Sequence, residues 1–232
     1  MFVANFRLKS LVQKVAMALS VPLGYAALHP FRELQRRALA QTADFIAREM
    51  PAAVAFDTPR DLLEYALGLV PADGLVAEFG VNEGGTVNFI ARHFADRPVH
   101  GFDSFEGLPE DWAGAHIPRG YFSRRGQAPR VRPNVVLHAG WFADTLPGFV
   151  SGHAGPVAFL HVDCDLYSST ATIFQHLEDR LRPGTVLLFD EYFNYPNWQS
   201  HEHRAFVEFV ARGQRRFDYV AYSFAQVAVV IR

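Results

Sequence analysis

The chain has 232 residues, half of them hydrophobic and a fifth charged, with a net charge of −2 at neutral pH. That is enough length and apolar content for one substantial core, and a balance without basic excess argues against nucleic acid as the main partner. A single cysteine, Cys164, excludes an intrachain disulfide framework and fits a reducing, cytoplasmic setting.

In chain order, Arg7, Lys9 and Lys14 precede an apolar run at residues 15–28. The run is shorter than the ~20 residues of a spanning helix. Pro22 and Gly24 interrupt it, and His29-Pro-Phe-Arg32 makes a poor cleavage site, so a helical appendage is expected rather than a membrane span or an export signal. That appendage is read as residues 1–70, with helical spacing at 33–50 and 59–69; Thr58 and Pro59 supply an N-cap and a first helical residue. From 71 to 232 the pattern is regular. Strands are expected at 75–80, 99–104, 135–140, 157–163, 185–191, 219–224 and 227–231, with helices at 85–94, 168–181 and 201–212. Strand-helix alternation specifies an α/β fold with a doubly wound, mostly parallel sheet. The last two of these seven strands are nearly contiguous, so they must form a hairpin and one must run antiparallel.

The first strand runs into a Gly-rich turn, Glu78-Phe-Gly80-Val-Asn-Glu-Gly84-Gly85, and the second ends at Asp103. This is the layout of a nucleotide-binding crossover. The turn lacks the G-x-G-x-x-G spacing that admits a pyrophosphate, which disfavours a nicotinamide-linked oxidoreductase. Glu78 would repel a pyrophosphate but suits the cationic amino-acid end of S-adenosylmethionine, with Gly80 leaving room for the ligand. Asp103 would accept from the ribose hydroxyls, and Gly84 and Ser104 complete the expected cofactor contacts. A purely structural turn is the alternative.

The irregular stretch 105–133 carries Trp112, Tyr121 and Phe122 among several arginines and leaves the carboxyl end of the second strand. A loop of this length is expected to be a lid over the ligands. Beyond it, Asp163 ends the fourth strand and Asp190-Glu191 end the fifth. Neighbouring parallel strands lie ~4.8 Å apart, so these carboxylates converge at the ligand-binding edge. Clustered acids repel one another unless a cation joins them, and a ligand set of oxygens alone points to Mg²⁺. Asp165 is divided evenly between capping the next helix and function, with Ser168 the other capping choice. Cys164 reads as a packing residue and His161 as a satisfied core histidine. The segment 194–204, rich in aromatics and amides, is expected to meet an acceptor through Trp198 and His201, with Tyr192 just before it. Its alternatives are a weak His201/His203 metal pair, or a plain loop in which Ser200 caps the next helix.

Five ordered motifs carry a family resemblance: Glu78-Phe-Gly80-Val; Gly101-Phe-Asp-Ser-Phe-Glu-Gly-Leu-Pro109; Gly140-Trp-Phe-Ala-Asp-Thr-Leu-Pro147; Asp163-Cys-Asp-Leu-Tyr-Ser-Ser-Thr170; and Pro183-Gly184 followed by Phe189-Asp-Glu-Tyr192. Together they resemble the macrocin O-methyltransferases, and a seven-stranded sheet with one reversed strand is similar to class I methyltransferases. The resemblance implies S-adenosylmethionine and Mg²⁺ as cofactors and a sugar hydroxyl as the acceptor group. By the same implication Asp103 is the ribose acid, Trp141 and Phe142 flank the adenine, and Asp163, Asp190 and Glu191 hold the metal. The family commonly has Asp-Asp-Tyr where this chain has Asp190-Glu191-Tyr192, which makes Glu191 the least secure ligand.

Methyl transfer from a sulfonium is an in-line displacement that needs an activated hydroxyl and a base for its proton. Lys9 and Lys14 are the only lysines in the chain, so no lysine lies near the sheet. Asp163 is therefore the expected base, with Asp165 or His201 in reserve. The expectation is an O-methyltransferase acting on a hydroxylated small molecule. A non-catalytic binding or scaffolding protein of the same fold is the rival, and a homodimer is left open.

Overall fold

Apolar strands with few polar interruptions need cover on both faces, and this chain supplies it with the helices between them. In the computed structural model, which describes residues 29–232, eight strands form one sheet. They are β1 (Val54–Ala55), β2 (Leu75–Phe79), β3 (Val99–Asp103), β4 (Val135–Ala139), β5 (Val157–Val162), β6 (Leu181–Phe189), β7 (Phe217–Tyr222) and β8 (Val227–Ile231). Their order is β1-β7-β8-β6-β5-β2-β3-β4. β8 is antiparallel to both neighbours, and every other pairing is parallel. The helices are α1 (Pro30–Glu49), α2 (Pro59–Gly68), α3 (Gly85–His93), α4 (Phe142–Gly152), α5 (Tyr167–Leu177) and α6 (Glu202–Gly213). The apolar run at 15–28 lies outside the described residues; among the described ones no helix is long and apolar enough to cross a membrane.

Period-2 alternation divides the core. Val76, Val99, Phe159 and Val186 pack with α2 and α3, while Ala77, Phe79, Leu160, Leu187 and Phe189 pack with α1, α4, α5 and α6. Glu78 and His161 have the parity of the first face and are direct partners in the β2–β5 register. β2 and β5 are also where strand order changes direction, the position at which open α/β sheets leave a crevice at their carboxyl edge.

The structure corrects several boundaries. β6 begins at Leu181, ahead of the expected 185, because a register shift against β5 lets Pro183 and Gly184 pass without breaking the strand. The Thr185 hydroxyl stabilises that detour by donating to Val157 O and accepting from Arg182 N. The C-terminal hairpin is longer than a residue or two, since its strands end at Tyr222 and resume at Val227. α4 is not among the expected helices, and it contains Pro147 and Gly148, two residue types that disfavour a helix interior. Ser200 does not cap α6, whose N-cap is His201, and Asp165 and Ser168 do not cap α5, whose N-cap is Leu166.

The described part of residues 1–70 is not an appendage. Val54–Ala55 pairs with Ala221–Tyr222 at the sheet edge, and Leu62, Leu63, Ala66 and Leu67 of α2 are buried in the core. α1 is anchored through Phe45, whose ring lies 5.4 Å from Trp198, 5.3 Å from His203 and 5.9 Å from Tyr219, centre to centre. Phe45→Ala should cost about 3–5 kcal/mol, the range for truncating a buried aromatic. Urea unfolding checks it, and a loss under about 1 kcal/mol would mean that α1 is only loosely attached.

Candidate functional site

The carboxyl ends of five adjacent strands surround a cavity of about 470 Å³. Gly80 and Asn82 come from the turn after β2, and Asp103 and Ser104 from the end of β3. Gly140, Trp141, Phe142 and Ala143 follow β4, Asp163, Cys164 and Asp165 follow β5, and Glu191 follows β6.

The β2 turn is held from the side by Asp103. Its Oδ2 accepts from Val81 N at 2.9 Å and Asn82 N at 2.7 Å, and its Oδ1 accepts from Phe105 N at 2.7 Å. One carboxylate thus orders both the Gly-rich turn and the start of the long loop, with acceptor capacity left over. Gly80 has φ +99° and a Cβ there would lie 1.7 Å from the Asp163 carbonyl oxygen. Glycine is required because β2 and β5 approach closely, not only to admit a ligand. Gly84 stands at the left-handed N-cap of α3, in contact with Pro129, and is not on the cavity wall.

Glu78 is not on the wall either. It is completely buried, and His161 Nδ1 donates to its Oε1 at 2.9 Å. His161 Nε2 in turn faces Asp190 Oδ1 at 3.7 Å, so the histidine joins two carboxylates across β2, β5 and the end of β6. Burial disfavours the imidazolium, but Asp190 and Glu78 outweigh it and hold His161 well above its usual value. The expected contact between Glu78 and a cofactor is therefore replaced by a buried ion pair beneath the site.

The acids form one cluster. Ligand atoms of Asp163, Asp165 and Glu191 lie within 4.8 Å of one another, as do those of His161, Asp163 and Asp190. Burial, and then the charge of Asp190, push Asp163 and Glu191 well above the carboxylate range and Asp165 up to about 7. Asp190 alone in this cluster is held low; burial opposes its ionisation, but the hydrogen bond and charge of His161 and the Gln226 amide prevail. Glu191 Oε2 is buried without a partner. An orphaned oxygen among mutually repelling carboxylates fits a hard divalent cation, which takes oxygen ligands and removes the repulsion. Asp165, left undecided by sequence, belongs to this group; it stands at φ +65° and its carboxylate clusters with those of Asp163 and Glu191.

Sequence reasoning missed Glu202. This fully buried carboxylate accepts from Cys164 N and Asp165 N through Oε1 and from Glu191 N through Oε2, bridging the ends of β5 and β6. A signal existed: Glu202 falls on the same stripe of α6 as Ala205, Phe206 and Phe209, where an acid is out of place unless it has partners.

The long loop is ordered by its own backbone pairing, with Leu108 N bonded to Tyr121 O, Gly120 N to Leu108 O and Trp112 N to Ile117 O. It gives Gly107, Leu108, Pro109, Trp112 and Phe122 to the cavity. Tyr192 and the segment 194–204 line no part of the cavity, contrary to expectation. The Tyr192 hydroxyl meets that of Tyr219 at 2.6 Å inside the core, and Trp198 packs against Phe45 and His203. His201 Nε2 donates to Ala113 O at 2.8 Å and Asn197 Nδ2 donates to the same carbonyl, so this segment props the loop from behind. Apolar rings found a drier place in the core than at a wet rim. Neither His201 nor His203 joins a cluster that could share a metal ion among the described residues.

A family model described as a methyltransferase domain matches residues 77–192. A Streptomyces olivaceus protein named as an 8-demethyl-8-(2,3-dimethoxy-alpha-L-rhamnosyl)-tetracenomycin-C 4'-O-methyltransferase is 34% identical over 57% of this chain and 59% of its own length. A Micromonospora griseorubida mycinamicin III 3''-O-methyltransferase is 30% identical over 53% and 56%. The chain thus spans less than two thirds of the length of these curated relatives. Among solved structures, a calicheamicin methyltransferase aligns over 86% of this chain and 91% of its own with TM-score 0.58 at 21% identity. The O-methyltransferase NovP aligns over 73% and 78% with TM-score 0.54 at 24% identity. At those identities the likeness is one of fold, and it matches the sheet described above.

Glu202→Ala should lower stability by about 2–4 kcal/mol, since it strands three backbone donors. Chemical denaturation checks this, and an unchanged midpoint would show that water replaces the carboxylate at no cost.

Proposed function

The chain belongs to the methyltransferase-domain family, and from that membership we propose that it transfers a methyl group from S-adenosylmethionine to a hydroxyl of a sugar-bearing or polyhydroxylated small molecule, assisted by Mg²⁺. The observation that carries this reading is the shared wall. Asp163, Asp165 and Glu191 face the same cavity as Asp103 and the Gly-rich turn, so the acids that would hold a cation and the turn that would hold a nucleoside sulfonium open on one space. The names of the two curated relatives support a sugar hydroxyl as the acceptor group.

In this reading Trp141 and Phe142, at the N-terminus of α4, flank the adenine, and Asp103 with Ser104 takes the ribose. Asp103 is stiffened for that role by the three backbone N–H groups it already accepts. Asp163, Asp165 and Glu191 would hold the cation, with Asp190 behind them. When bound, Mg²⁺ supplies Lewis-acid stabilisation of an ionising hydroxyl, which otherwise gives up its proton far above neutral pH. Asp163 accepts that proton, with Asp165 the nearest substitute; His201 is excluded because it does not line the cavity, its ring being turned to the Ala113 carbonyl. Leu108, Pro109, Trp112 and Phe122 exclude water and shape the acceptor side. Cys164 packs beside Thr170 and needs no role, since the displacement passes through no enzyme-bound intermediate.

Calorimetric titration of S-adenosylhomocysteine, followed by assay of glycosylated acceptors, tests the reading. Micromolar binding, ~−8 kcal/mol, is expected. Asp163→Asn should keep that binding and lose at least tenfold in turnover, the lower end for general-base removal being ~100-fold. Absence of binding by folded protein would instead favour a non-catalytic scaffold.

The cation makes a separate prediction. A carboxyl whose folded pKa is raised carries a proton that its unfolded counterpart has released, so it favours folding at low pH and loses that contribution as pH rises through the folded value, about 7 for Asp165. Cation binding needs the deprotonated form. Mg²⁺ should therefore raise the melting temperature more at pH 8 than at pH 5, and equal shifts at the two values would reject the carboxylate site.

A further inference from the structure

A second concavity, of about 520 Å³, lies between α2, α3 and the segment leading into β4, and shares no lining residue with the cavity above. Arg60, Arg92, Arg130 and Arg132 line it, together with Gly85, Asn88, Phe89 and Val131, and no carboxylate does. We propose that this groove binds a diphosphate group.

The argument starts from the cost of gathering like charges. Four arginines around one concavity set like charges against each other. Arg60 has an exposed partner in Glu64 at 3.3 Å, whereas Arg92, Arg130 and Arg132 form no ion pair among the described residues. The arrangement is also built rather than loose. The guanidinium carbons of Arg60 and Arg92 lie 4.9 Å and 5.2 Å from the centre of the Phe89 ring, which ties two of the cations to one aromatic side chain. The other two are carried by backbone that Asn88 holds. Its Nδ2 donates to Arg130 O at 3.1 Å and its Oδ1 accepts from Arg132 N at 2.7 Å. Phe89 and its neighbour Asn88 on α3 thus place one arginine pair each at the same groove.

The ligand class follows from charge and size. A guanidinium fork matches two oxygens of a phosphoryl group, and two forks satisfy one such group. Two pairs therefore fit two linked phosphoryls. A single phosphate would leave half of the charge unmatched. The volume is that of a small-molecule site, and the chain's net charge of −2 gives no broader basic field for a polymer. The proposal does not rest on methyl transfer, because no residue of the groove lines the cavity assigned to it.

Titration of inorganic pyrophosphate into the full chain at constant ionic strength tests it, with orthophosphate, a nucleoside diphosphate and a single-stranded oligonucleotide as comparisons. Expected is saturable one-to-one binding of pyrophosphate, with orthophosphate at least tenfold weaker. Arg92→Ala/Arg132→Ala should lose at least tenfold while S-adenosylhomocysteine affinity and the melting curve stay unchanged. Arg92→Lys/Arg132→Lys, which keeps the charge without the fork, should fall between. A nucleoside diphosphate binding as tightly as pyrophosphate supports the diphosphate itself as the recognised group, and tighter binding supports one carried on a nucleoside. No saturable binding, equal affinity in the alanine variant, equal affinity for orthophosphate, or tighter binding of the oligonucleotide would each overturn the proposal.

Discussion

The site depends on a carboxylate that never meets solvent. Glu202 receives the backbone N–H groups of Cys164, Asp165 and Glu191, and so fixes the distance between the ends of β5 and β6. Without an acceptor there, those donors would be buried and unpaired, and the loops carrying Asp163, Asp165 and Glu191 would have no common origin. The arrangement stacks like charge on like charge. Burial pushes the Glu202 carboxyl well up, and Asp165 and Asp190 add to it. Burial and mutual repulsion both favour the protonated form of Asp163, Glu191 and Glu202 in this cluster.

A second constraint lies beneath the cavity floor. Glu78 and His161 face each other in register on β2 and β5, and His161 reaches on to Asp190. Breaking one member of such a row would leave a buried charge alone, which is far costlier than leaving the row intact. The row also separates the chemistry of Asp190 from that of its neighbours, since it is the one acid of the cluster held below its usual value. Above the floor, the long loop is stiffened from outside by Asn197 and His201 on the Ala113 carbonyl, and by the Trp112–Tyr195 contact. The cavity is consequently roofed by ordered backbone.

Particular residues show how far the sequence could be read. The placement of the Gly-rich turn, Asp103, the aromatic pair Trp141–Phe142 and the acids at 163, 190 and 191 at the carboxyl edge was legible, because parallel-sheet topology sends every strand end to one edge and the spacing of apolar runs reveals where strands end. Glu78, Tyr192, Trp198 and His201 were read in the right region but on the wrong side. Glu78 and Tyr192 are two and one positions from the cavity residues Gly80 and Glu191, whereas Trp198 and His201 lie seven and ten positions past Glu191. In a strand or tight turn such a step decides between wall and core. Glu202 was hidden for a related reason, since its partners are 11 to 38 positions away in the chain.

The sequence by itself determined seven of the eight strands, the reversed one among them, and the carboxyl edge as the place where the acids and the Gly-rich turn gather, all of which follow from periodicity and strand termini. Tertiary structure alone decided which side chains face the cavity, that Asp165 joins the acids, that Asn197 and His201 buttress the long loop, and that four arginines from distant positions share one groove. Those outcomes depend on side-chain direction and on contacts between segments far apart in the chain, and local spacing carries no record of either.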